Sequence, residues 1–490
     1  MSAAPSRAGG DGSGGPGSAA RETHVRYQVL AFACVLSMIT YIDRVCFGAA
    51  APKLAAELSL SGVADLKWAF SAFAIAYAAC EIPSGRLGDS WGPRSTLIRI
   101  VLWWSLCTAL TGLVGLRFGA ITLGGLGTLI VLRFLFGAGE AGAYPNITRA
   151  LHNWFPIEEQ STAQGWIWMS GRLMGGLTPL MWTLLTVGTA LTPPLMNWRW
   201  AFAFFGAIGV LWCAGFAAAF RNRPAEHPAV NAAERSHIER GRDDTADDHG
   251  HSHANVPWAR FLSSGNLWLL CGMYFCMNYG WYFNVTYLPA YLRDRYHVPD
   301  ASVLGSLYKG APLWLGAVGC IAGGYGVDAL IRRTGDRRRV RRFVGFAGLG
   351  LCGLCWLLAP LAPNEHLFVL AISMAALCND FTLASAWATC QDIGRRHAGV
   401  TSAWMNTVGV AGAAVAGWLT GTIVERSVAT AAAGLGTSIA ALPDAARTAA
   451  TLTGYEQNFL SFAALYAVAA GCWLFIDAAR PIVPPSDGPA

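Results

Sequence analysis

Lysine is almost absent from this chain. Only Lys53, Lys67 and Lys309 occur among 490 residues, and 35 basic residues less these three leave 32 arginines. All charged residues together make up 13% of the chain. Soluble domains carry about 25%. A water-soluble globule of this length would need a core with almost no surface, so that class is excluded. Segment 1–26 lacks the apolar run of a signal peptide and is expected to be a disordered, Gly-, Ala- and Ser-rich tail. No P-loop or dinucleotide fingerprint stands in its required context, and no nucleophile–base constellation is found. No enzyme activity, cofactor, structural metal or nucleic-acid partner is expected.

What the chain has is apolar length. Hydrophobic residues make up 54%, with 20 tryptophans. Runs long enough to cross a hydrocarbon core of about 30 Å recur throughout. Twelve spans are predicted, at 27–50, 67–85, 97–116, 121–145, 161–187, 199–220, 264–292, 301–325, 343–362, 366–391, 399–424 and 457–478. The fold class is therefore an all-α polytopic membrane protein. The 13 cysteines lie mostly inside these runs and read as small packing residues, not as a disulfide framework.

An even number of spans places both termini on one side. Arginines concentrate in the loops after spans 2, 6 and 8, the last reading "RRTGDRRRVRR" over 332–342, while 188–198 and 427–455 carry almost none. The positive-inside rule makes both termini cytoplasmic. The predicted layout is a tail (1–26), a six-helix bundle (27–220), a cytoplasmic linker (221–263), a second bundle (264–480) and a tail (481–490). The linker contains "DDTADDHGHSHA", which reads as a solvated segment in preference to a metal site.

The halves repeat. "GRLGDSWGPR" follows span 2 and "GGYGVDALIRRTGDRR" follows span 8. Gly85 precedes Asp89 by four residues, as Gly324 precedes Asp328, and the two aspartates stand 239 residues apart. Glycine admits close helix approach. The aspartates are positioned to pair with arginine or cap a neighbouring helix. Gly85, Asp89, Arg94 and Asp328 are expected to form a cytoplasmic latch.

This duplicated motif resembles the hallmark of the major facilitator superfamily. "YIDRVCFG", "FAIAYAACEIPSGRLGD", "RFLFGAGEAGAYPNITRALHNWFP" and "AGVTSAWMNTVG" narrow the resemblance to its anion:cation symporter branch, over about residues 27–480. That branch contains bacterial sugar-acid and hexuronate carriers and sialin-like carriers. The resemblance implies two pseudo-symmetric six-helix bundles rocking about a central site.

Ionised groups inside spans are costly, by about 2.5–3.5 kcal/mol each at a helix centre, and are functional candidates by default. Arg44 matches the family's expected anion anchor, and its planar fork suits a carboxylate. Tyr41 lies three residues earlier on the same helical face. Asp43 is rotated about 100° from Arg44; with Glu140 it matches the family's protonation sites, and its proton affinity is expected to answer to Arg44. Arg133 lies seven residues before Glu140, about 10.5 Å along the axis, and is expected to tune that acid, with direct substrate contact as the alternative. Arg172 departs from the polar uncharged residues of comparable carriers. It reads as a second anion-binding group, for a dicarboxylate, or as a partner of Glu140. Tyr77 and Asn406 match cavity positions, and Tyr282 is one of several polar or aromatic candidates in span 7. Glu81 is expected to pair with a loop arginine. Lys309 and Asp380 are expected to pair with each other, with Asp380 a rival coupling group. The resulting expectation is a monomeric, proton-coupled symporter of a small organic anion, a sugar acid such as a hexuronate or aldonate, in the plasma membrane (the inner membrane of a Gram-negative cell), with an exchanger or uniporter, or a non-transporting membrane sensor, as the alternatives.

Overall fold

The computed structural model describes residues 21–60, 66–118, 121–188, 193–240, 256–299 and 303–483. The first half contains α1 (Val25–Glu57), α2 (Lys67–Trp91), α3 (Pro93–Thr111), the strands β1 (Leu116–Phe118) and β2 (Ile121–Leu123), α4 (Leu126–Glu140), α5 (Ala143–Trp154), α6 (Gln160–Thr186) and α7 (Trp198–Ala219). Two short helices follow, α8 (Ala232–Glu239) and α9 (Trp258–Ser263). The second half contains α10 (Gly265–Thr286), α11 (Leu288–Tyr296), α12 (Val303–Thr334), α13 (Arg337–Leu358), α14 (Glu365–Gly394), α15 (Ala398–Gly434) and α16 (Asp444–Phe475). With α4–α5 and α10–α11 each taken as one broken span, each half supplies six.

The break between α4 and α5 follows from Pro145. Proline has no N–H and its ring clashes with the carbonyl four residues back, here that of Ala141. Glu140 therefore ends α4 at a discontinuity in the middle of a span. Spans 3 and 4 also depart from the apolar reading at their facing ends. Residues 116–118 and 121–123 form an antiparallel hairpin with Leu116 opposite Leu123, so α3 stops at Thr111 and α4 starts at Leu126. Helices α12, α15 and α16 run about two to four turns past the predicted ends. Alanine-rich stretches such as "VATAAAG" and "DAARTAA" continue a helix after the apolar run has ended. Cys352 and Cys355 have CxxC spacing within α13, and both are free thiols.

The start of α1 and the end of α16 share one face, here called the terminal face. There the halves are closed by a pseudo-symmetric pair of contacts. Asp89 of α2 accepts hydrogen bonds from the backbone N–H of Gly399 (3.0 Å) and Val400 (2.8 Å) at the start of α15. Asp328 of α12 accepts one from the N–H of Thr162 (2.6 Å) at the start of α6. Each aspartate thus caps a helix of the opposite half, satisfying N–H groups that a helix start leaves unpaired. Glycine permits the approach: a Cβ at Gly85 would fall 2.6 Å from the Gly399 carbonyl oxygen, and one at Gly324 2.7 Å from that of Ser161.

Arg94 does not belong to this latch. Its guanidinium donates to the Ala217 carbonyl at the end of α7, and its N–H to Asn222 Oδ1 (3.0 Å). It closes a helix C-terminus within its own half. The cation beside Asp89 is Arg149 (3.7 Å), which also donates to the Arg395 carbonyl across the halves (3.0 Å).

The tail and linker are also more ordered at their edges than the composition suggests. Helix α8 docks on the start of α1. Glu234 is fully buried and accepts from the N–H groups of Val25 (3.0 Å) and Arg26 (2.9 Å) and the Thr23 hydroxyl (2.6 Å). Arg26 adds ion pairs to Glu22, Glu159 and Glu234. At the other end the N–H of Ile482 bonds the Ile393 carbonyl (2.8 Å). Residues 1–20, the His-rich stretch and 484–490 lie outside the described residues.

Burial alone would raise the Glu234 pKa. The Arg26 amide, the Thr23 hydroxyl, the Val25 amide and the Arg26 charge outweigh it and hold the carboxyl below its usual value. A depressed carboxyl contributes stability that is present above its unfolded pKa, about 4.3, and is lost as pH falls through the folded value. Hydrogen exchange at the Val25 and Arg26 amides is therefore expected to be slow at neutral pH and to lose protection below about pH 4. In Glu234→Gln this pH step should vanish.

Candidate functional site

The site is built on α1, where an apolar helix carries Tyr41, Asp43 and Arg44 within one turn. Arg44 Nε donates to Glu140 Oε1 of α4 (2.8 Å). Its guanidinium lies over the Tyr77 ring (4.9 Å) and beside Phe73 (5.7 Å). Glu140 is fully buried, while the Arg44 side chain is 32% exposed. Arg44 Nη2 and Glu140 Oε2 have no hydrogen-bond partner. The pair is joined by one bond, and each partner has bonding capacity left over.

Asp43 does not answer to Arg44. It is buried beside α3 and α4, where its electrostatic partners are Glu140, Arg133 and Trp104. Neither of its oxygens has a well-formed hydrogen bond, and neither do Arg133 Nε or Trp104 Nε1. Arg133 is held by aromatic faces: Phe47 at 4.0 Å, with Phe73 and Phe136 each at 4.7 Å. Ring quadrupoles favour a cation placed over them. Its interaction with Asp43 and Glu140 is coulombic, with no hydrogen bond from Nε.

A second ion pair spans the two halves. Arg172 of α6 grips Asp380 of α14 with two bonds, Nε to Oδ2 (2.7 Å) and Nη2 to Oδ1 (3.1 Å). Its Nη1 donates to the Tyr41 hydroxyl (3.0 Å), and its face packs on Trp281 of α10 at 3.9 Å. Both sequence-based pairings are corrected here. Arg172 does not meet Glu140, which belongs to Arg44, and Asp380 is taken by Arg172, not Lys309. Nor is Arg172 open as an anion site in this conformation, because its fork is filled and its side chain is only 8% exposed.

Glu81 also differs from expectation. It is fully buried and bridges the halves instead of reaching a loop. Asn406 Nδ2 of α15 donates to Glu81 Oε1 and to the Tyr77 hydroxyl (3.3 Å), and Thr407 donates to Glu81 Oε2 (3.2 Å). Tyr77 and Asn406 thus join the Arg44 group. Tyr282 does not: it packs against Tyr287 and the backbone at Gly417 of α15. The span 7 residue at the centre is Trp281. Asn278 turns back to the Tyr274 carbonyl of its own helix (2.9 Å).

Sequence reasoning missed an aromatic layer between this centre and the terminal face. Tyr144 and Trp168 stack at 4.4 Å, and Trp387 of α14 lies 5.1 Å from Trp168 and donates to the Tyr274 hydroxyl (3.1 Å). The four come from both halves, and no local spacing links them.

A family model described as Major Facilitator Superfamily matches residues 33–417. The chain belongs to this superfamily. A probable sulfoacetate transporter of Cupriavidus necator is 34% identical over 406 residues, covering 82% of this chain and 88% of the relative. A hexuronate transporter of Bacillus subtilis is 26% identical over 408 residues, covering 81% and 88%. The solved structure of the proton:xylose symporter XylE superposes with a TM-score of 0.69 at 12% identity, covering 93% of this chain and 97% of that one. This likeness shows the superfamily's fold of twelve helices in two bundles, and the chain is a multi-pass membrane transporter, not an enzyme.

The Glu81 bridge is directly testable. Glu81→Ala strands the Asn406 amide in a buried site, so a loss of about 1–3 kcal/mol is expected. Glu81→Gln keeps an acceptor for Asn406 and should cost less. Thermal unfolding of the two purified variants beside the parent measures the difference.

Proposed function

We propose that this protein is a proton-coupled symporter of a small organic anion, a sugar acid of the hexuronate or aldonate type, working by alternating access. The carrying observation is Arg44, a half-open arginine whose one carboxylate bond goes to a fully buried Glu140. A substrate carboxylate can take over that guanidinium if Glu140 accepts a proton. Protonation removes the charge that the departing arginine would otherwise leave unanswered in a dry site.

Charge counting supports the same reading. The central groups are three arginines (Arg44, Arg133, Arg172) and four carboxylates (Asp43, Glu81, Glu140, Asp380), all but Arg44 nine-tenths or more buried. One carboxylate is in excess before any substrate arrives. An anion entering such a cavity adds to the imbalance unless protons enter with it. Asp43, without a hydrogen bond and beside Arg133, is the second proton carrier in this reading. The relatives named for sulfoacetate and hexuronate support organic anions as the broader class of cargo, and the hexuronate carrier supports the sugar-acid reading within it.

The terminal face is assigned to the cytoplasm of a plasma-membrane carrier by its arginine-rich loops. The conformation described is then closed inward by the Asp89 and Asp328 caps and the aromatic layer. The working unit is taken to be a monomer.

Uptake of sugar acids into proteoliposomes is expected to follow an imposed proton gradient and to collapse with a protonophore. Uptake indifferent to the protonophore would establish exchange or uniport instead. Arg44→Ala should abolish uptake, and Arg44→Lys should rescue it poorly, since an ammonium lacks the planar fork. Glu140→Gln and Asp43→Asn should still bind substrate but lose gradient-driven accumulation. Full accumulation in both variants would remove these two acids from coupling.

A further inference from the structure

Glu140 and Asp380 are counterparts. Each lies in the fourth span of its half, and 240 residues separate them, against 239 for Asp89 and Asp328. Each answers an arginine of the first half. The two pairs differ in strength. Arg44 and Glu140 share one bond and each retains an unpartnered polar atom. Arg172 and Asp380 share two, and the remaining Arg172 nitrogen is bonded to Tyr41.

The seat of Asp380 is built to hold it. Asn379 Nδ2 donates to Asp380 Oδ1 (2.9 Å), and Asn379 is itself fixed by the Tyr466 hydroxyl (3.0 Å). Gly316 of α12 leaves the space: a Cβ there would fall 2.4 Å from Asp380 Oδ2. Asp380 is fully buried. A planar guanidinium with a bidentate carboxylate is the geometry by which arginine recognises a carboxylate ligand. Here the protein supplies that carboxylate itself.

We propose that Asp380 is a resident counter-anion that sets the charge of the substrate. It fills Arg172 as a second substrate carboxylate would, so the cavity offers one replaceable arginine contact and selects anions bearing one acidic group. This rests on the reading of Arg44 as the substrate anchor. A dianion bound at Arg44 brings its second charge toward a cavity where Arg172 is already neutralised and Arg133 is buried behind the Phe47, Phe73 and Phe136 rings. To reach Arg172 it would have to strand Asp380, buried and ionised, which is a penalty built against the wrong ligand.

The test compares aldonates with the aldarates of the same carbon skeleton, which replace a terminal CH2OH by carboxylate. Competition against, and uptake by, the full-length protein in proteoliposomes at neutral pH gives the selectivity ratio. The parent is expected to favour the aldonate by roughly tenfold or more, a difference of about 1.4 kcal/mol. Asp380→Asn frees the fork of Arg172, and the ratio should fall toward unity or invert. The double variant Arg172→Gln/Asp380→Asn removes both charges and should restore the aldonate preference. A residue with only a structural role would lower the amount of working protein and leave the ratio alone. Equal or better transport of the aldarate by the parent overturns the proposal, as does an unchanged ratio in folded Asp380→Asn. If that single variant fails to fold, the parent ratio still overturns the proposal when the aldarate is carried as well as the aldonate. If no member of the panel is taken up by the parent, the sugar-acid reading fails instead.

Discussion

An arginine or aspartate at the centre of a membrane-spanning helix costs about 2.5–3.5 kcal/mol unless something in the protein answers it, and the helix arrangement here is organised around those answers. Arg44 finds Glu140, Arg172 finds Asp380, and Arg341, almost fully buried near the terminal face, finds Asp392 at 2.8 Å. Arg133 is answered by three phenylalanine rings. Most of these contacts tie together helices distant in sequence. The charges therefore act as alignment pins: each fixes which faces of two helices can meet, while the surrounding apolar packing supplies area without direction.

The location of each pin has a functional meaning. Arg44–Glu140 lies within one half, so breaking it need not move the halves apart. Arg172–Asp380 and Glu81–Asn406 lie between halves, so they register any relative motion. The cavity thus combines a singly bonded pair within one half with two cross-ties between the halves. In the proposed cycle the first is where cargo and proton trade places, and the others must reform in a different geometry as the halves rock. Trp281, packed on Arg172 at 3.9 Å, ties α10 to the same motion.

What could be read directly from the residues was whatever depends on short stretches. Apolar length located the spans, because crossing hydrocarbon requires about twenty such residues. The repeated Gly-to-Asp spacing located the helix caps, because capping needs one carboxylate at one turn of a helix. Partner choice was not legible. Nothing near Arg172 says Asp380, since 208 residues separate them and the choice is made by packing of α6 against α14. Glu81 was misread for the same reason: its partner Asn406 lies 325 residues away. Arg94 was misread because the motif suggests proximity to Asp89, while the turn at Gly92, with φ at +85°, sends the chain toward α7 instead.

The two aspartate caps have a consequence for how firmly the terminal face is shut. A helix N-cap contributes about 1 kcal/mol, so two together weight the closed arrangement by about 2 kcal/mol, roughly thirtyfold. That is a weak bolt. Water entering an opened face can take over the freed N–H groups of α6 and α15, which lowers the net cost further. Because both caps join the same two halves, in the proposed cycle they let go together. Their pseudo-symmetry makes the face behave as a pair of matched magnets, which sets the register of the halves and leaves most of the holding force to the contacts around them, such as Arg149 on the Arg395 carbonyl.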